Sequence, residues 1–383
     1  MKPSRPVLLI GLATAFSLLG DQTLYSVLPT YFRELGLLPY QVGLILSMNR
    51  WIRLVTNQLA EWLCRRYNPT VLVGLALMLG ALVTLSYGLV PVFPIFIGMR
   101  FLWGLSWSFI RQVGLMTVVD SAPEESIGQR MGYYTGISRT GSVAGSLGGA
   151  LGHDVIGFTM TMLIFSGLSL VGVPLGVLSR RGLAQRHREG SAVVSGRWWD
   201  PGFLGCGFVV GCVGTGMVMS TLGLVLEESV GKSVTIWGLT IGVATLTGLL
   251  IAGRWMADLL IAPMLGALSD RIGRRAAILL FLGLGALVLL SMAGVVHPVL
   301  LAGLVLFFFV CGAGASVTLI AESGTRGSRA VAAYVTSSDV GAAAGPILGW
   351  TALQMQFDSG WIYVMGGGLY LIAAAIAWKA FRA

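Results

Sequence analysis

The chain has 383 residues, of which 55% are hydrophobic and 11% charged, with 54 glycines, a mean hydropathy of +0.83 and a net charge of +9. Soluble domains carry about 25% charged residues and about 7% glycine, so this composition excludes a water-soluble globular protein. The positive residues fall in short clusters between apolar runs instead of forming one basic face, which argues against a nucleic-acid partner and matches the loops of a polytopic membrane protein.

A helix crosses about 30 Å of hydrocarbon in about 20 residues. Windows of that size predict twelve spans, near residues 6–28, 40–63, 69–91, 95–119, 131–152, 158–178, 203–226, 235–268, 276–296, 298–320, 331–353 and 361–379. Lys2 and Arg5 ahead of the first run resemble a secretory leader. No small-residue cleavage site follows, however, and the run continues through Asp21, so it is read as a retained helix.

With the N-terminus inside, seventeen Lys and Arg fall on the cytoplasmic side, two (Arg33 and Lys232) outside and six within spans. Both termini are therefore expected in the cytoplasm, in a bacterial-type inner membrane. The polar stretch 179–200 separates a six-helix bundle at 1–178 from a second at 201–383. Its basic run is expected to fix topology and touch anionic headgroups.

An internal repeat sets the architecture. A shift of 200 superposes Tyr134 on Tyr334, Ser138 on Ser338, Gly141 on Gly341, Ala144 on Ala344, Gly145 on Gly345 and Gly149 on Gly349. The fifth span of one half thus meets the fifth of the other, which predicts an all-α membrane protein of two pseudo-symmetric six-helix bundles.

The loop after the eighth span reads Gly266-x-x-x-Asp270-Arg271-x-Gly273-Arg274-Arg275, and the equivalent place in the first half has Asn57-x-x-x-Glu61-x-x-x-Arg65-Arg66. These resemble the signature loop of the major facilitator superfamily, complete in the second half and degraded in the first. Arg100-x-x-x-Gly104 is similar to that superfamily's intramembrane-arginine motif. Gly141-x-x-x-Gly145-Ser146-x-x-Gly149 is similar to the fifth-helix motif of its proton antiporters, with Ser146 in place of the usual proline, a proline that Pro346 keeps in the second half. The resemblance spans the chain and implies a secondary transporter working by alternating access, expected as a monomer. An acid and arginines at helix ends also suit a cytoplasmic gate that latches one conformer.

Nine ionisable residues fall inside spans: Asp21, Arg50, Arg53, Arg100, Arg111, Arg139, Arg254, Asp258 and Asp339. Each costs about 2.5–3.5 kcal/mol if it faces lipid, so most are expected to face a cavity or a partner. Arg50, Arg53 and Asn57 form one helical stripe, as do Arg100, Gly104 and Arg111. Arg254 and Asp258, at i and i+4, are placed to neutralise each other. The helix pairing that the resemblance implies, together with matched depths, gives two expected interface pairs, Arg53 with Asp339 and Arg139 with Asp258.

The arginine surplus points to an anionic or zwitterionic substrate. Arg50, Arg53 and Arg139, with Trp51 and Trp255 beside charged positions, are the expected substrate contacts, while Arg100 and Arg111 have a second reading as snorkelling or carbonyl-bonding residues. Proton coupling needs a carboxylate that switches charge, for which Asp21, Asp258 and Asp339 are the candidates; Asp21 reads equally as a helix-end acid at the outer interface. Glu322 and Asp120 are expected as gate or cap residues.

No metal or cofactor is expected. The cysteines Cys64, Cys206, Cys212 and Cys311 lack ligand spacing, no phosphate-binding GxxxxGK[ST] run is present, and His153, His187 and His297 lie in loops, which argues against an enzyme. The favoured function is proton-coupled transport of a small or amphipathic anionic or zwitterionic solute, with export preferred. Uptake symport of an organic anion and a non-transporting sensor on the same fold stay open.

Overall fold

The computed structural model describes residues 3–121, 123, 126–183, 200–236, 239–295 and 297–380. The helices are α1 (Arg5–Tyr31), α2 (Pro39–Arg66), α3 (Pro69–Leu89), α4 (Phe93–Ser121), α5 (Ile127–Val143), α6 (Gly149–Ile156) and α7 (Phe158–Ser179). They continue as α8 (Pro201–Val210), α9 (Met219–Val230), α10 (Val243–Leu260), α11 (Ala262–Ile272), α12 (Arg274–Met292), α13 (Pro298–Arg326), α14 (Ser328–Gln354) and α15 (Gly360–Ala380). π-helical turns, Ala144–Gly148 and Gly211–Val218, join α5 to α6 and α8 to α9. Counting each joined pair as one rod, and α10 with α11 as another, gives the twelve spans.

Sequence chemistry sets the ends. Asn68 caps α3, its Oδ1 accepting from the Thr70 amide at 2.9 Å, with Pro69 in the first turn where no amide donor is needed. Asp200 caps α8 in the same way, accepting from Gly202 and Phe203 ahead of Pro201. Gly273 of the loop motif sits at φ +85°, a left-handed conformation that costs a side-chain-bearing residue, and there α11 turns into α12.

The eighth span differs from expectation at its start. Two strands stand where helix was expected: β1 (Ser233–Ile236) pairs antiparallel with β2 (Leu239–Gly242), and Thr235 and Thr240 hydroxyls meet at 3.0 Å. Alternating β-branched residues favour the pleated form, and apolar count alone does not distinguish it from helix. Trp237 lies outside the described residues. The same span is broken again between Leu260 and Ala262, where Pro263 in the first turn of α11 lacks an amide donor.

Two compact units result, Met1–Leu28 with Met48–Gly190, and Pro29–Ser47 with Ser191–Ala383. In the first, a core of Val7, Ile10, Val73, Leu77, Ile110 and Val113 draws on α1, α3 and α4. The glycines of the repeat are packing residues. A β-carbon at Gly141 would strike the Ala15 backbone, one at Gly145 would lie 2.7 Å from the Leu19 carbonyl oxygen, and one at Gly149 would strike Thr23, so α5 and α6 lie directly on α1. In the second unit Gly341, Gly345 and Gly349 meet Phe208, Cys212 and Met217 in the same order. Close backbone approach through small residues is how helices associate where lipid removes the hydrophobic drive.

Among the described residues nine helical stretches are apolar and long enough to cross a membrane. The rods outside that set, α2, α5 with α6, and α14, carry Arg50 and Arg53, Arg139, and Asp339. The four cysteines are buried and form no disulfide with one another.

Candidate functional site

The first unit holds a charged cluster in its interior. Asp21 on α1 pairs its Oδ1 with Arg100 Nη1 from α4, and the two side chains are 7% and 0% exposed. Gln22 donates from Nε2 to the other carboxylate oxygen at 3.0 Å, and Arg100 donates from Nη2 to the Tyr25 hydroxyl at 3.4 Å. Two cations lie over the Tyr25 ring, the Arg100 and Arg50 guanidinium carbons each 5.8 Å from its centroid. Asp21 and Tyr25, one helical turn apart, present acid and ring on one face of α1.

Local sequence explains the assembly. Gly104, one turn beyond Arg100, faces α2, where a β-carbon would lie 2.6 Å from the Asn49 carbonyl oxygen. The bare backbone at Gly104 lets α2 approach α4, which brings Arg50 toward the ring that Arg100 already holds. Two of the sequence alternatives are thereby replaced. Asp21 is an interior residue instead of an interfacial helix-end acid, and Arg100, wholly buried on a carboxylate, does not snorkel. A buried carboxylate whose charge is balanced by one arginine is a group whose protonation would free that arginine.

The second unit carries a looser arrangement. Arg254 and Asp258 on α10 stand 4.0 Å apart with side chains 13% and 26% exposed. The Arg254 guanidinium stacks 4.3 Å from the buried Trp255 ring, lies 5.8 Å from Phe309 and reaches Met219 Sδ at 3.9 Å. Its partner acid therefore shares it with aromatic faces and a thioether.

The remaining expected site residues are distributed as follows. Arg53 and Arg139 are half-buried in the first unit and Asp339 in the second, while Trp51 is exposed. Arg111 is half-buried. At the helix ends Arg65 pairs with Glu61 at 2.5 Å, Arg66 stacks 4.3 Å from the Trp62 ring, and Asn57 is half-buried. Of the complete motif, Arg274 bonds Glu322 at 3.2 Å, and Arg275 donates to the Trp378 carbonyl and stacks 4.5 Å from its ring. Gly266 lets α11 meet Val317 of α13. Asp270 and Arg271 are exposed and hold no ion pair among the described residues.

Sequence reasoning missed Gln22 and passed over Tyr25; their position within one turn of Asp21 was the available signal. It also left the partners of two acids open. Asp120 forms a 2.6 Å pair with Arg180, side chains 3% and 2% exposed, and Glu322 joins Arg326, which also binds Asp200 at 2.9 Å. Burial alone would raise the Asp200 carboxyl. The bonds from Arg326 and from the Phe203 and Gly202 amides outweigh it and hold the group below the ordinary carboxylate range.

Comparison with known proteins bears on the family and the fold. Two proteins called multidrug resistance protein MdtG, from Citrobacter koseri and Salmonella heidelberg, are each 24% identical to it over 93% of its length, covering 89% and 90% of their own. Among solved structures, a bacterial homologue of the human lysosomal transporter Spinster superposes with a TM-score of 0.75 over 100% of this chain and 98% of that one, at 15% identity. The nucleoside transporter NupG gives 0.76 over 99% of each chain, at 10% identity. Residues 10–259 match the Major Facilitator Superfamily, and the chain belongs to that family of multi-pass membrane transporters, which are secondary transporters of small molecules and not enzymes.

Proposed function

We propose that the protein is a proton-coupled exporter of amphipathic zwitterionic solutes, and that the Asp21–Arg100–Tyr25–Arg50 cluster is where proton and cargo compete. The observation that carries the reading is a buried carboxylate on an arginine, with a second arginine over the same aromatic ring. A cargo ammonium taking Asp21 would exclude a proton there, while its anionic group is met by Arg50, with Arg53 and Arg139 as further contacts. Mutual exclusion of proton and cargo is the thermodynamic requirement for antiport. The multidrug resistance name of the relatives supports export.

The same cluster favours a second reading for a purely anionic cargo. An anion would displace Asp21 from Arg100, and the released carboxylate would take up a proton, so that proton and cargo travel together as in uptake symport. Reconstituted vesicles decide between them. Zwitterion accumulation driven by an opposing proton gradient, lost in Asp21→Asn while cargo exchange without a gradient persists, is the expected result. Accumulation along the proton gradient would replace the first reading with the second, and gradient-independent flux in the wild type would remove both. We place the protein, as a monomer, in a bacterial inner membrane with both termini cytoplasmic, on the bias of its basic loops.

A further inference from the structure

A second cationic site lies in the first unit, away from Asp21. The end of α2, the turn into α3 and the end of α7 border an open cavity of about 480 Å³ lined by Arg65, Arg66, Thr70, Arg180 and Arg181 among others, with no acidic residue among the described residues that line it. Two of these charges are already balanced, Arg65 by Glu61 and Arg180 by Asp120. Arg66 and Arg181 are exposed and pair with no acid among the described residues. Arg66 stacks its face on Trp62, which leaves the edge N–H groups available to an oxyanion. Arg180 is 4% exposed, and its Nε has no hydrogen-bond partner although it is buried. An unsatisfied guanidinium N–H beside a cavity is costly unless an acceptor arrives.

The surroundings select the kind of acceptor. The cavity sits where α3 begins and α7 ends, two helices long and apolar enough to cross a membrane, and the ends of such helices meet the headgroup layer. Directly along the same helices the surface turns apolar: Val71 and Leu75 of α3 are 56% and 61% exposed, and Val177 and Leu178 of α7 are 37% and 40% exposed. The two helices touch there, a β-carbon on Gly74 lying 3.2 Å from Val177. A free phosphate would use the cationic end alone. A phospholipid would use both the cationic end and the apolar strip.

We propose that this cavity binds the headgroup of an anionic phospholipid, its phosphate on Arg66, Arg181 and the free Arg180 Nε–H, with its acyl chains along the exposed faces of α3 and α7. The site would tie the loop-motif end of α2 to the bilayer and make the carrier responsive to lipid charge.

The test is native mass spectrometry of the detergent-purified full chain titrated with cardiolipin, phosphatidylcholine or inorganic phosphate. Arg66→Gln with Arg181→Gln is compared with Arg329→Gln, an exposed arginine outside the cavity. Wild type and Arg329→Gln should retain cardiolipin, and the double variant should bind it about tenfold or more weakly, since each basic residue near an anionic headgroup contributes comparably. Both replaced residues are exposed, so folding is expected to survive; a thermal melt of the apo protein checks it, and either single variant serves if the double does not fold. Equal cardiolipin retention by the variants, or equal retention of phosphatidylcholine, overturns the proposal. Displacement of cardiolipin by millimolar inorganic phosphate would show a simple anion site and overturn the lipid assignment.

Discussion

The two units follow one packing plan and handle charge differently. In each, a rod with glycine every fourth residue lies on the unit's first rod: α5 and α6 on α1, and α14 on α8 and α9. The π-helical turn falls on the glycine rod in the first unit and on its partner rod in the second. Charge diverges further. The first unit buries an acid and a base from different helices against each other, whereas the second sets them one turn apart on a single helix, partly exposed. Shape was thus preserved by the repeat while the ionisable groups were free to specialise, one unit holding a locked pair and the other an accessible one.

The sharpest way to break the contrast is to remove a partner from the locked pair. Arg100→Ala leaves Asp21 buried without its cation and should destabilise the purified protein by about 3–5 kcal/mol, read as a fall in melting temperature. The double variant Asp21→Asn with Arg100→Gln should recover a large part of that loss. A single variant as stable as wild type would show that Asp21 finds other solvation, and the description of the first unit as locked would fail.

The shared plan is tested by overpacking. Gly141→Leu and Gly341→Leu put a side chain onto the backbone of α1 and of α8 respectively, and each should cost about 1–3 kcal/mol or more. Gly132→Leu, on α5 with open space at its β-carbon, should stay within about 0.5 kcal/mol. Unequal losses at the equivalent positions, measured by thermal melts, would mean that the repeat is one of sequence more than of packing.

These residues also mark how far the sequence could be read. The rods, the repeat and the glycine register were legible because they depend on local composition and periodicity. The Asp21–Arg100 pair was not, because its members are 79 positions apart and nothing local links them. Depth was the unused clue: Arg100 lies seven residues from the start of α4 and Asp21 ten from the end of α1, about 10 and 15 Å from helix ends that adjoin in an up-down bundle. The strand pair Ser233–Ile236 and Leu239–Gly242 was hidden by its apolarity, which serves helix and strand alike. The π-helical turns had no readable signal, since a widened turn is decided by the helix packed against it.

A smaller effect belongs to the start of the second unit. Asp200→Asn keeps an N-cap oxygen but removes the charge that Arg326 binds, at an expected cost of about 1 kcal/mol at neutral pH for a partly exposed charge-assisted bond. Because the Asp200 carboxyl is held below its ordinary value, its contribution is present above about pH 4 and is lost as pH falls through the lowered value. Melting temperatures of wild type and variant should therefore differ at pH 6 and converge toward pH 3. A constant gap over that range would assign the effect to the cap instead of the charge.

The smallest stability effect is expected where the functional effect is most informative. Asp258→Asn removes one end of a partly exposed i,i+4 pair at 4.0 Å, which is worth about 0.5 kcal/mol or less, and Arg254 keeps its contacts with Trp255 and Phe309. The variant should melt with wild type. If the accessible pair takes part in transport, the same variant should nonetheless lower cargo flux in vesicles, and in Arg254→Lys the flux should fall as well, because an ammonium does not stack as a guanidinium does. Full flux in both variants would confine the working charges to the first unit and leave the second as packing that follows the repeat. Reduced flux with unchanged stability would show that a pair too weak to matter for folding is retained for its accessibility.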